Sequence, residues 1–159
     1  MDEKTSEFSQ ATMTEIVLPQ HANALGTAFG GTVMSWVDVC AAVVAQRHCG
    51  RIAVTASIDQ LDFTAPLRIG DVAVIEGRIN AAFRTSLEIE VHVDREDSPD
   101  CKRIRCADAL LTFVNVDDRG TPCPVPELRI VSAEDHTRLE QARARKRDRL
   151  ARRKSESEP

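Results

Sequence analysis

TVMSWVDVCAAVVAQR, residues 32–47, decides the fold. Read as a helix, it is apolar around most of its circumference, with Val33, Met34, Trp36, Val37, Val39, Ala41, Ala42, Val43 and Val44 leaving little room for a polar face. A helix of that kind is surrounded by protein. Gly30 or Gly31 opens it, and Gly50 is placed to cap its C-terminus in a left-handed conformation. The chain has 159 residues, enough for one domain with tails and too few for two. Only a sheet wrapped around the helix can bury it in a domain of that size.

The strands lie on either side of it. MTEIVLP, residues 13–19, alternates and is stopped by Pro19. After the helix, residues 52–63, 71–80, 86–94 and 103–115 each alternate between apolar and polar side chains. The cleanest is SLEIEVHVD, with Leu87, Ile89, Val91 and Val93 on one face, while Gly77 marks a bulge in the strand before it. One strand, one central helix, then four strands joined by short turns predict an α+β domain with an antiparallel sheet. TPCPVPEL, residues 121–128, is too rich in proline to extend the sheet interior. The division expected is a flexible lead over 1–11, a folded domain over 12–130 and a charged tail over 131–159. The tail, helical or partly disordered, has Ser132 as its N-cap and Asp135 three residues on. Either it is a solvated helix, or it meets a partner, RNA or an anionic surface.

Composition removes several functional classes. Hydrophobic residues make up 42% and charged residues 29%, as in a globular protein. No apolar run reaches the ~20 residues of a membrane span. The lead MDEKTSEFSQ is unlike a signal peptide, so a cytoplasmic protein is expected. Five cysteines without a CxxC pair read as reduced thiols, and four scattered histidines suggest no metal site. Residues 134–159 carry nine Lys/Arg against six Asp/Glu, and the rest 12 against 19, so a net −4 splits into +3 and −7. An acidic body is a poor binder of nucleic acid, so no nucleic-acid partner is expected.

The helix is also where chemistry is expected. HANALGTAFGGTVMSWVD, residues 21–38, places Asn23 ahead of a glycine-bearing turn and Asp38 inside the apolar helix. The first helical N–H groups, at Gly30 and Gly31, have no intrahelical partner and sit at the positive end of the dipole. They can polarise a carbonyl. A carboxylate among apolar residues is solvated, paired or kept for chemistry. The plainer alternatives are close helix–sheet packing for the glycines, a turn cap for Asn23 and a backbone hydrogen bond for Asp38. Gly31 and Asp38 are about 10 Å apart along a helix, too far to serve one carbonyl within one chain. Cys40 and His48 read as core or surface residues, and Trp36 as a packing residue rather than a platform for a ligand.

Four blocks in order resemble hotdog-fold acyl-CoA thioesterases of the YciA and brain acyl-CoA hydrolase type, over residues 13–128. They are P-x-H-x-N-x-x-G-x-x-F-G-G-x-x-M-x-W-x-D from Pro19 to Asp38, TASIDQLDFTAPLRIGD, RTSLEIEV and ALLTFVNVDDRGTPCPVPEL. The resemblance implies a hotdog fold, a long helix wrapped by an antiparallel sheet, and two protomers joined into one continuous sheet. It further implies assembly into a trimer of dimers, and hydrolysis of acyl-CoA to free acid and coenzyme A. No metal and no cofactor are implied, coenzyme A being part of the substrate. The implied catalytic residues are Asn23, Gly31 and Asp38, with Asp38 a general base or a nucleophile. Gly30, Arg84, Thr85 and Ser86 would bind substrate, a guanidinium with hydroxyls and turn N–H groups being suited to phosphate. The family commonly has Gly where this chain has Phe83. Arg51 and Arg68 are weaker phosphate candidates, and Asp59, Asp62 and Phe63 are assigned to the strand and its interface. The alternatives are hydration of enoyl thioesters, and an acyl-CoA sensor or scaffold that binds without turnover.

Overall fold

The computed structural model describes residues 3–97 and 99–157 of the chain. In chain order the elements are β1 (Lys4–Thr5), α1 (Ser6–Ser9), β2 (Ala11–Ile16), α2 (Gly30–Cys49), β3 (Ala53–Phe63), β4 (Val72–Ala82), β5 (Ser86–Asp97), β6 (Lys102–Asn115), β7 (Leu128–Arg129) and α3 (Ala133–Ser157). Five strands form an antiparallel sheet in the order β2-β4-β5-β6-β3, which leaves β3 at one edge. α2 packs on one face of this sheet, as the apolar helix requires. Val37, Cys40, Ala41 and Val44 bury themselves against Ile75, Ile79, Leu87, Ile89, Val91, Leu111 and Phe113. Gly50 closes α2 with φ 69°. Lys4 places its ammonium on the last helical carbonyls, those of Arg47 (3.0 Å) and His48 (2.8 Å), at the negative end of the dipole.

Gly77 is not a bulge. The register slips at Asn80 instead, between Ile79 and Ala81. Gly77 is needed because α2 crosses the sheet there. A Cβ at that position would stand 3.0 Å from both Cys40 Sγ and Val44 Cγ2.

The lead is loose only in the sequence reading. From Lys4 the chain forms β1, parallel to β7, and then α1, with Ser6 and Ser9 buried. Ser9 Oγ meets His48 Nδ1 at 3.2 Å, and His48 Nε2 meets the carbonyl of Pro126 at 2.9 Å. Burial holds the His48 pKa below its ordinary value, so the ring is neutral. Nε2 then donates to the carbonyl and Nδ1 accepts from the serine. His48 is a core residue that ties three segments together, which decides between the core and surface placements that the sequence leaves open.

The charged tail is α3, capped by Ser132 Oγ accepting from the Asp135 amide (3.0 Å). It lies on the polar face of the sheet. Arg78 pairs with Asp135 at 2.8 Å, Arg145 with buried Glu88 at 2.6 Å, and Arg149 with Asp59 at 3.2 Å. Ala142 of α3 is fully buried. One face of α3 is thus paired to the sheet rather than solvated.

Under α3, His92 stands between Glu90 (Nε2, 3.1 Å) and Asp108 (Nδ1, 2.5 Å), with Arg105 beside the ring and Arg138 facing Glu90. The hydrogen bond to Glu90 raises the His92 pKa, with burial and Arg105 opposing and Asp108 helping. Burial pushes Glu90 up, but His92, Asn80 and Arg138 together hold it at about 2. A raised histidine stabilises the fold fully below its unfolded value of about 6.5, and this is lost as pH rises through the folded value. Glu90 remains ionised throughout that range. The stability gap between wild type and His92→Gln in urea melts is therefore expected to be widest near about pH 5.5 and to shrink towards about pH 9. A gap that grows with pH contradicts this arrangement.

Candidate active site

Residues 20–29 form the turn into α2. Asn23 Oδ1 accepts from the amides of Leu25 (3.0 Å) and Thr27 (3.3 Å), and its Nδ2 donates to Thr27 Oγ1 (3.0 Å). The side chain therefore closes the turn, as the plainer alternative has it, but Nδ2 carries a second proton and the residue is exposed. The turn is pinned to residues 66–70. The Ala28 amide donates to the Leu67 carbonyl (2.6 Å) and the Ile69 amide to the Gly26 carbonyl (3.1 Å). Gly26 sits at φ 72°, where only glycine is unstrained.

Phe29 is the N-cap of α2 and offers no side-chain hydrogen bond. Its carbonyl accepts from Thr32 (2.9 Å) and Val33 (3.2 Å). Among the described residues nothing accepts from the amides of Gly30 and Gly31. Gly30 lines a cavity of about 460 Å³ with Thr27, Val33, Phe63, Leu67 and Cys106. A largely apolar cavity with unpaired N–H groups at its wall can take an acyl group and polarise its carbonyl.

Asp38 is half-buried in the middle of α2. Its Oδ1 accepts from Thr55 Oγ1 of β3 at 2.7 Å, which orients the carboxylate and leaves Oδ2 without a partner among the described residues. Thr55 has no assigned role in the sequence reading, although it begins one of the matching blocks. Its contact with a helix 17 residues earlier depends on how β3 is packed.

Arg84, Thr85 and Ser86 form the β4–β5 hairpin. The Phe83 amide donates to the Ser86 carbonyl (2.8 Å), and the Val125 amide to the Arg84 carbonyl (3.0 Å). The pairing register places this hairpin at the same end of the sheet as Thr55, through Ser86↔Val114↔Val54. Phe63, beside Gly30, lies at the other end through Phe63↔Ala107↔Val93. Along β6, Phe113 (opposite Thr55) and Ala107 (opposite Phe63) are about 20 Å apart. One protomer thus separates two halves, Asn23 with Gly30 and Gly31 in one and Asp38, Thr55 and the Arg84 hairpin in the other. Among the described residues, no group of three or more His, Cys, Asp or Glu is placed to hold a metal, and no helix is long and apolar enough to cross a membrane.

Residues 25–102 match the Thioesterase superfamily. The cytosolic acyl coenzyme A thioester hydrolase of Rattus norvegicus is 36% identical over 157 residues, 98% of this chain and 41% of that protein. The chain thus spans about two fifths of the length of that relative. A crystal structure of an apo-hexameric acyl-CoA thioesterase superposes with a TM-score of 0.90 at 37% identity, over 96% of this chain and 97% of that one. An acyl-CoA hydrolase from Staphylococcus aureus, solved with butyryl coenzyme A, coenzyme A and coenzyme A disulfide, gives a TM-score of 0.90 at 33% identity, over 98% and 94%. Variants of that enzyme with an asparagine, an aspartate or a threonine changed to alanine have been solved. These three residues are spaced 15 and 17 positions apart, the intervals that separate Asn23, Asp38 and Thr55. With this fold, these blocks and these relatives, the chain belongs to the thioesterase superfamily of hotdog proteins.

Proposed function

We propose that the protein hydrolyses acyl-CoA thioesters in the cytoplasm, at sites each made from two protomers. The observation that carries this reading is the separation just described. One chain holds a carbonyl-polarising turn and an oriented carboxylate, at opposite ends of one edge strand. β3 presents Val54, Ile58 and Phe63 partly exposed beside its unpaired backbone. An exposed apolar edge is a template for pairing with another strand. Two-fold antiparallel pairing of β3 with its copy places the Thr55 end of one protomer against the Phe63 end of the other. Asp38 of one chain then faces the Gly30 cavity of its partner. The dimers assemble further into hexamers, in keeping with the hexameric thioesterase neighbour.

At such a site the N–H groups of Gly30 and Gly31, with the free Nδ2 proton of Asn23, bind the thioester oxygen. Asp38 supplies the attacking oxygen, through water it deprotonates or through its own Oδ2. The carbon–sulfur bond breaks, coenzyme A leaves as thiolate, and water ends in the free acid. This chemistry calls on no metal or redox cofactor. The test is release of coenzyme A from short to long acyl-CoAs, with a protein-only thiol blank because the chain has five cysteines. Release by the wild type and not by Asp38→Ala supports hydrolysis. Tight acyl-CoA binding with no release from any chain length would instead make the protein a sensor.

A further inference from the structure

Most of the arginines of α3 that reach the sheet end on carboxylates. Arg138 meets Glu90 at 3.6 Å, Arg145 meets Glu88 at 2.6 Å, and Arg149 meets Asp59 at 3.2 Å. Lys146 is different. Its ammonium lies 3.8 Å from the ring centroid of Phe83, on the β4–β5 hairpin, and among the described residues no carboxylate pairs with it. Beside that ring, the Arg84 guanidinium and the hydroxyls of Thr85 and Ser86 also have no hydrogen-bond or ion-pair partner among the described residues. Burial, together with the charges of Arg149 and Arg84, pushes the Lys146 pKa down. Cations gathered without a counter-ion repel one another, and a bound anion removes that cost.

We propose that Lys146 of α3 joins Arg84, Thr85 and Ser86 of the hairpin in binding a phosphate of coenzyme A. The inference rests on the thioesterase reading for the identity of the ligand, and it adds a residue from outside the blocks that resemble the family. Phe83 gives the proposal its geometry. An aromatic face beneath an ammonium fixes a flexible lysine over the hairpin at little cost to its charge. Glycine at that position would leave Lys146 unseated. The tail thereby becomes part of the substrate site as well as a cover for the sheet.

The test compares two thioesters carrying the same acyl group, one on coenzyme A and one on pantetheine, which has no nucleotide phosphates. Lys146→Gln is expected to raise KM for the acyl-CoA roughly 5- to 20-fold and to leave kcat and the pantetheine KM unchanged. Lys146→Arg keeps the charge and should retain most of the affinity. Equal shifts for both thioesters, or no shift for either, would overturn the proposal. Calorimetric titration with coenzyme A separates it from the thioesterase reading. If the wild type hydrolyses neither thioester, that reading fails, yet weaker coenzyme A binding by Lys146→Gln still supports the subsite. Unchanged binding, or no binding by the wild type, overturns it.

Discussion

Asp38→Ala is expected to lower kcat for acyl-CoA hydrolysis roughly 10²- to 10⁴-fold while KM changes little. The carboxylate is the only acidic side chain on α2, and it faces away from the packed core towards β3. Its loss removes the group that supplies the attacking oxygen without opening a cavity, so fold and assembly should survive. Thr55 acts through it as a positioning residue. Thr55→Val frees Oδ1 to rotate and should cost roughly 10- to 100-fold in kcat. Thr55→Ser, which restores the hydroxyl, should recover most of the loss. Steady-state rates on one short and one long acyl-CoA check both expectations. An Asp38→Ala enzyme that keeps more than about a tenth of wild-type kcat would remove Asp38 from the chemistry.

Phe113→Ala is expected to destabilise the protein by about 3–5 kcal/mol. Phe113 is the largest fully buried side chain among the described residues, near the C-terminal end of β6 between β5 and β3, and it belongs to the cluster beneath α2. Truncation loses its transfer free energy and leaves a cavity that strands on both sides prevent from collapsing. With about 2–4 °C per kcal/mol for a domain of this size, the melting midpoint should fall by roughly 6–20 °C. Phe8, which is 61% exposed, provides the contrast, and its replacement by alanine should stay within about 0.5 kcal/mol. Urea melts of the two variants read the difference directly. A Phe113→Ala midpoint close to wild type would mean that α2 does not rest on this part of the sheet.

The architecture was legible because α2 and the inner strand faces write their burial into their periodicity. Leu87, Ile89, Val91 and Val93 can only face a core, and an all-round apolar helix can only be wrapped. The polar side of the same strands was harder to read. Glu88, Glu90 and His92 look like a solvated face, and α3 looks like a solvated helix. They are partners, because Glu88 meets Arg145 across 57 positions of chain. Local pattern carries no trace of such a pairing. Gly77 misled for a related reason, since a glycine that admits a helix and one that marks a bulge are identical in sequence. At the site, Asn23, Gly30, Gly31 and Asp38 stand out by residue type. Thr55 does not, because its role exists only once β3 lies beside α2. Helix rise alone was enough to separate Gly31 from Asp38, and the strand register independently sets the β3 residues beside Gly30 and Asp38, Phe63 and Thr55, at opposite ends of that strand.

A two-protomer site is tested most directly by mixing two inactive chains. When Asn23→Ala and Asp38→Ala protomers are co-expressed with different tags and purified in tandem, each heterodimer within the assembly contains one site with both lesions and one with neither. Such heterodimers are expected to regain about half of the wild-type activity per dimer, while each parent stays inactive. Heterodimers that form, as shown by crosslinking of the two differently tagged chains across β3, and yet hydrolyse no more than their parents would contradict the shared site.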